Sequence, residues 1–466
     1  MPSTTASGQR PHRHPSRGAE TVPFRRIARQ LVQDPLQAFT RIVDEHDGAI
    51  TRVNLGLVRP YLVTRPEHVN HVLRDNAGNY PRQEMPCKPM SRLFGYGIGG
   101  EGPQHAEARR VLQPTFSGRH VTRTYADWAP VITEAVTELV QRGSDGRQVL
   151  DSYAEMTRIL HRAVNRIFFG DAITAADAET VGELVGEALR TATTALLPRL
   201  AAPWMPQWIP LPGDRAFHRA VAAADDMIMP IVRRVRRERD VDLGVASMLA
   251  ELGRDDRQIR DELVSLVVAG TETIAEALSW LWVVLDRQPE LAEALHAEID
   301  EVVGAGTPTL EQIRRLAFTR MLLDELVRVY TVWILPRRAL GNDVIDGVPI
   351  KAGERVIVSP YLAHRVPSVW PDPERFDPGR FSEQAVAERR ALHPKTFPFL
   401  SFGAGHHSCL GQNLFYLEAS LILSTLLQRC RPVLRQCEGE PPIRPRVTLS
   451  LVPSRPIEIT LQPRHG

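Results

Sequence analysis

The residues best suited to chemistry lie in Phe402-Gly403-Ala404-Gly405-His406-His407-Ser408-Cys409-Leu410-Gly411. One cysteine stands in a glycine-rich loop just before a strongly apolar stretch, residues 414–427, that reads as a helix. Glycines at 403, 405 and 411 permit positive φ and let a flat ligand approach the backbone closely. A helix N-terminus and inward-turned amides favour the thiolate, the form of cysteine that binds metals. The bland alternative is a small buried cysteine in a glycine turn. A second cluster, Ala269-Gly270-Thr271-Glu272-Thr273, interrupts an apolar run over residues 263–285. Helical spacing puts Leu266, Ala269, Gly270, Thr273 and Ala277 on one face, small in its middle, so that something flat can lie against it. Thr273 can bond back to the Ala269 carbonyl and loosen the helix there. Glu272 is an acid in apolar surroundings; the plainer reading is a solvent-facing glutamate beside a core threonine. Glu325 and Arg328 fall at i, i+3 among apolar neighbours and could form a buried ion pair, while His105 and Arg109 fall at i, i+4.

Helical patterning dominates the elements that must position these groups. A long helix should begin near Asp255-Asp256 and run to about Asp286. Pro289 suits the first turn of the next. Thr309-Leu310-Glu311-Gln312 has capping-box spacing and should start a helix through Leu326-Val327. Short β signals occur at residues 50–55, 61–63, 344–358 and at the end. Asp346-Gly347 reads as a hairpin turn, and residues 447–451 and 457–461, flanking Pro453-Ser454-Arg455-Pro456, read as a terminal hairpin. The fold class is therefore mainly α with a minor β portion to one side, in a single large domain over residues 24–466. Residues 1–23, rich in Arg, His, Ser and Pro, read as a disordered basic arm rather than a signal peptide or membrane anchor.

Composition narrows the function. Lys+Arg 57 against Asp+Glu 55 gives a net +2, too balanced for a nucleic-acid binder. Cysteines at 87, 409, 430 and 437 form no C-x-x-C pair, which argues against zinc sites and a disulfide framework and suits a reducing cytoplasm. The apolar runs fall short of the ~20 uninterrupted residues of a membrane span.

The cysteine loop resembles the heme-binding signature of the cytochrome P-450 family, F-x-x-G-x-[RH]-x-C-x-G, at every fixed position. The resemblance implies heme b (iron protoporphyrin IX) with Cys409 as axial ligand to the iron. It puts Phe402 and Gly403 against the cofactor and His407 on a propionate. Residues 269–273 resemble the family's oxygen-activation motif, [AG]-G-x-[DE]-T, which makes Thr273 the hydroxyl of the oxygen site and Glu272 the acid that feeds it protons through water. The Thr or Ser usual after that threonine is replaced by Ile274. Glu325-Leu326-Val327-Arg328 resembles the E-x-x-R element, and Arg375 its third member; these imply a network holding the cysteine loop. His105 and Arg109 resemble the family's H-x-x-x-R propionate pair, and Arg337 a further propionate arginine, with Arg338 the alternative by one position. Thr331-Val332 stand where relatives carry Pro-Pro. The likeness spans residues 34–461.

The implied function is a heme-thiolate monooxygenase that inserts one oxygen atom from O2 into a lipophilic small molecule, by hydroxylation or epoxidation, in secondary metabolism such as terpene or polyketide tailoring. The absence of a dinucleotide fingerprint implies a separate electron partner, and the resemblance implies that this is a ferredoxin with its ferredoxin reductase, for which Arg110, Arg429, Arg431 and Arg435 are candidate docking cations. A cytoplasmic monomer is expected. Expected pocket walls are the 82–98 loop, Val268, Ala269, Val332, Trp333 and Leu335. A lid at residues 198–212 should carry Trp204, Met205, Trp208 and Ile209. Two other readings stay open: a peroxygenase or isomerase needing no external electrons, and a heme sensor without turnover.

Overall fold

The computed structural model describes residues 18–464, except 57, 83–86, 96, 144, 202–208, 210, 238–243, 397, 437–438 and 448–450. Trp204, Met205, Trp208 and Cys437 therefore lie outside the described residues.

The spine is helix α6 (Asp256–Arg287). Its start follows from Asp255, which accepts the Gln258 amide while the Gln258 side chain returns to the Asp255 amide. By length and composition alone it could cross a membrane, yet 67% of its most apolar window is buried inside the protein. It packs on α3 (Ser152–Phe169) and touches α1 (Cys87–Phe94), α4 (Ala175–Ala201), α5 (Asp214–Arg237), α9 (Ala317–Val329) and α10 (Gln412–Leu427). A Cβ at Gly270 would stand 3.3 Å from Val164 on α3, so close helix approach accounts for the mid-helix glycine. The large apolar core lies among these helices.

The β portion lies to one side over two smaller cores. Its main sheet has the order β1 (Glu20–Val22), β2 (Thr51–Val53), β3 (Tyr61–Val63), β8 (Arg355–Val358), β5 (Leu335–Arg338). Glu20–Val22 pair with β2, so the proposed arm ends in an ordered strand rather than running to residue 23. Asp346 and Gly347, at φ 48 and 78, turn the hairpin of β6 (Asp343–Ile345) and β7 (Val348–Ile350).

Two expectations are corrected. The helix from Thr309 breaks into α8 (Leu310–Arg315) and α9, because Leu316 leaves helical geometry and the Glu298 carboxylate on α7 (Pro289–Val302) caps the amides of Phe318 and Thr319. Among the described residues the terminal hairpin is absent. β11 (Leu451–Pro453) pairs with β10 (Pro445–Val447), whereas β12 (Glu458–Pro463) pairs with β9 (Cys430–Leu434) and β4 (Leu150–Asp151). The proline-bounded turn thus carries the chain between sheets instead of folding it back.

Candidate functional site

The cysteine loop is built by backbone. Gly403 and Gly405 take φ 68 and 70, and a Cβ on Gly405 would overlap the Leu73 carbonyl. Gly411 does not share this: at φ −79 it is the N-terminal flank of α10, 3.9 Å from Cys409 Sγ at its missing Cβ. The Cys409 amide donates to the Phe402 carbonyl at 2.7 Å, closing the loop. Cys409 has accessible surface, and it lines a cavity of about 790 Å3. Burial pushes its thiol pKa up, while the Gly411 amide and Arg109 pull it back.

The loop is braced from below by a chain of buried polar groups. Glu325 and Arg328, both on α9, are fully buried and bonded at 2.6 and 2.8 Å. Arg328 also donates to the carbonyls of His364 and Pro373, at 2.9 and 2.8 Å. His364 returns Nδ1 to the Arg328 carbonyl and accepts the Leu400 amide at Nε2, 3.0 and 2.8 Å. Burial, then Arg328, holds its pKa well below the ordinary value, as this neutral tautomer requires. Ser401 Oγ adds a bond to the Val327 carbonyl at 2.8 Å. Arg375 is corrected here: its side chain is exposed, and it offers only its carbonyl, 3.4 Å from Arg328. The second guanidinium at Glu325 belongs to Arg380, whose Nε lies 3.5 Å from Oε1. The turn at Asp377-Pro378, whose Asp377 amide bonds Glu325 at 2.8 Å, brings Arg380 in and leaves Arg375 outside.

Above the sulfur, α6 presents Val268, Ala269, Gly270 and Thr273 to the cavity. Thr273 Oγ1 donates to the Ala269 carbonyl at 2.9 Å. Glu272 is not among the lining residues. One residue further round the helix, it points to α3 and α4, bonded to Tyr153 Oη and near Gly186. Burial raises its pKa, and the Tyr153 hydroxyl and Arg190 oppose that. Two acids that the sequence reading passed over do line the cavity: Glu276, one turn beyond Thr273, and Glu418 on α10. Neither Glu418 oxygen has a protein hydrogen-bond partner, and burial pushes its pKa far up, which favours the neutral acid. A glutamate inside an otherwise apolar helix was the available signal, the same one that marks Glu272.

One edge of the cavity gathers nitrogen. His105 and Arg109 come from α2 (Pro103–Leu112), His407 from the loop and Arg337 from β5. Arg338 does not line the cavity. The His105 and His407 rings lie 4.0 Å apart, and Arg109 clasps the carbonyl and hydroxyl of Ser408 at 2.7 and 2.9 Å. Glu101, unforeseen, bonds His407 Nε2 at 3.0 Å. Burial pushes the Glu101 carboxyl up, but His407 and the amides of Arg82 and Gly102 outweigh it, and it stays below the carboxylate range. Burial depresses His105 to about 4 and His407 to about 3. His407 Nδ1 is buried without a protein partner.

This donor set fits a flat iron macrocycle bearing two carboxylates. A lone thiol faces one wall, small residues face the other, and the edge holds three arginines (Arg82, Arg109 and Arg337), two histidines and an orphaned ring nitrogen. An iron cation would offset the burial that raises the thiol pKa. Of the remaining pocket expectations, Ser91, Phe94, Ile98, Thr331, Val332 and Leu335 line the cavity, whereas Ile209 does not. Trp333 is corrected: it turns away from the cavity into one of the smaller cores, edge-on to Phe39 and Tyr361 at 5.5 and 5.6 Å. Arg110, Arg429, Arg431 and Arg435 are exposed, but Arg431 and Arg435 are paired with Glu293 and Glu458.

The family model described as Cytochrome P450 matches residues 17–461. The chain is 30% identical over 428 residues, 88% of each chain, to cyclooctat-9-en-7-ol 5-monooxygenase of Streptomyces melanosporofaciens. It is 30% identical over 459 residues to cyclooctatin synthase of the same organism, covering 95% of this chain and 94% of that one. The crystal structure of the cytochrome P450DA heme domain superposes with TM-score 0.81 at 20% identity, over 97% of this chain and 98% of that chain.

Proposed function

Because this chain belongs to the cytochrome P450 family, an oxidoreductase family with heme b as cofactor, we propose that it oxygenates a cyclic terpene-type alkene or alkenol, with electrons from a separate ferredoxin and its reductase. The reading is supported by the printed names of the two Streptomyces relatives and by cavity walls that are apolar apart from a few placed polar groups. The observation that carries it is Cys409 and Thr273 lining one cavity whose edge holds His105, Arg109, Arg337 and His407. A cytoplasmic monomer belongs to the same proposal.

When bound, heme supplies reductive activation of O2. The chain does the rest. Cys409 offers its sulfur, and the loop amides and Arg109 stabilise negative charge on it. His105, Arg109, Arg337 and His407 would take the propionates. Thr273 uses its proton on the Ala269 carbonyl, so its lone pairs remain to accept a protonated group over the thiolate. Glu272 would pass protons from the Tyr153 side of α6 rather than from within the cavity. Phe94, Ile98, Val268 and Leu335 keep water away from the substrate. Turnover with NADPH, ferredoxin, ferredoxin reductase and isotopically labelled O2 on a panel of terpene alkenes and alkenols tests this. A product carrying one labelled oxygen is expected. Product formed only with added unlabelled peroxide and carrying no label, or no product at all, would overturn it.

A further inference from the structure

The N-terminal turns of α6 carry four polar residues that the oxygen chemistry does not use: Arg260, Asp261, Glu262 and Ser265, all buried. All reach toward the segment that forms the distal cavity wall, residues 91–95 and 97–101. Arg260 Nη1 donates to the Leu93 carbonyl, and its Nε holds Asp225 on α5 at 2.5 Å. Ser265 Oγ donates to the Phe94 carbonyl at 3.2 Å. Glu262 Oε2 accepts the Ile98 amide at 2.9 Å. The fit is close enough that a Cβ on Gly95 would overlap the Asp261 carboxylate, and one on Gly97 the Glu262 carboxylate. Three bonds thus fasten a segment whose Ser91, Phe94 and Ile98 face the cavity.

We propose that Arg260, Glu262 and Ser265 are positioning residues that hold Phe94 and Ile98 in the substrate wall, and that release of this clasp governs entry of neutral apolar ligands. The proposal rests on the cavity reading above. Glu262 makes the clasp sensitive to pH. Burial raises its pKa to about 7, Asp261 adds to that, and the Ile98 amide and Arg254 oppose it. Arg254 is itself paired with Glu107, while Arg257 and Arg260 face Asp225 and Asp261. Arg190 on α4 lies near Glu272, about 15 Å further along α6. Released and hydrated, Glu262 would titrate near the usual ~4.3. The fastened state therefore binds the proton more tightly, and raising pH through about 7 favours release.

The test uses ferric and ferrous holoprotein with n-butyl isocyanide, a neutral heme ligand that does not titrate. Linkage between pKa values of about 7 and ~4.3 predicts that the Ile98 amide loses about tenfold in exchange protection from pH 6 to 8. The isocyanide association rate should rise by a similar factor. Glu262→Gln should flatten both profiles. Ser265→Ala should raise the rate at every pH without changing its slope. Equal pH dependence in wild type and Glu262→Gln, or unaltered Ile98 protection in Glu262→Ala and Ser265→Ala alike, would overturn the clasp. Failure of isocyanide to perturb the heme spectrum would instead refute the cavity reading, and the amide data would still judge the clasp.

Discussion

Replacing Glu325 by alanine should unfold much of what holds the cysteine loop. Its carboxylate receives Arg328 Nε and Nη2 at 2.6 and 2.8 Å and the Asp377 amide at 2.8 Å, with Arg380 at 3.5 Å. Both partners of the central pair are fully buried, so bulk water does not screen the stranded guanidinium. Arg328 would keep its carbonyl partners at His364 and Pro373 but lose its counter-charge. Stranding a buried charge costs roughly 3–5 kcal/mol. Against a typical stability of ~5–15 kcal/mol, that is a large fraction. Urea titration of holoprotein, followed by the heme band and by circular dichroism, measures it. Glu325→Leu with Arg328→Met should lose less than Glu325→Ala alone, because it removes both charges. A Glu325→Ala protein within about 1 kcal/mol of wild type, with heme retained, would refute the reasoning.

Arg375→Ala should change stability by no more than ~0.5 kcal/mol, whereas Arg380→Ala should cost more, in the same urea assay. Thr273→Ala should keep heme and substrate binding yet divert reductant to peroxide, read as product and peroxide per NADPH; unchanged coupling would remove Thr273 from the oxygen site. Glu272→Gln should slow turnover with coupling largely kept, since Glu272 reaches the site from outside the cavity. Glu262 binds its proton more tightly folded, at about 7, than unfolded, at ~4.3. Its contribution to stability should therefore fall by up to about 4 kcal/mol as pH rises through that window, and Glu262→Gln should remove the slope.

Much of the site was legible because it is local. The cysteine loop, the small-residue face of α6, the E-x-x-R turn and the capping signals at Asp255 and Thr309 each lie within one short segment. What escaped the sequence depends on where chain segments meet. Arg375 and Arg380 both follow Asp372 closely, and only the turn through Asp377 decides which reaches Glu325. Trp333 and Val332 are adjacent, but extended chain sends them to opposite sides. The strand order at the C-terminus was missed because local pattern does not choose between β9 and β11 as a partner for β12. His364 and Glu101 meet Leu400 and His407 across 36 and 306 residues of chain, so no spacing rule finds those contacts.

The central claim is that Cys409 presents its sulfur to heme iron at the floor of this cavity. The direct measurement is the optical spectrum of the reduced carbon-monoxide complex for wild type, Cys409→His and Cys430→Ser. Wild type and Cys430→Ser should give the red-shifted Soret band of thiolate-ligated heme, and Cys409→His should bind heme without it. A Cys409→His protein that keeps that band, or a Cys430→Ser protein that loses it, would contradict the assignment.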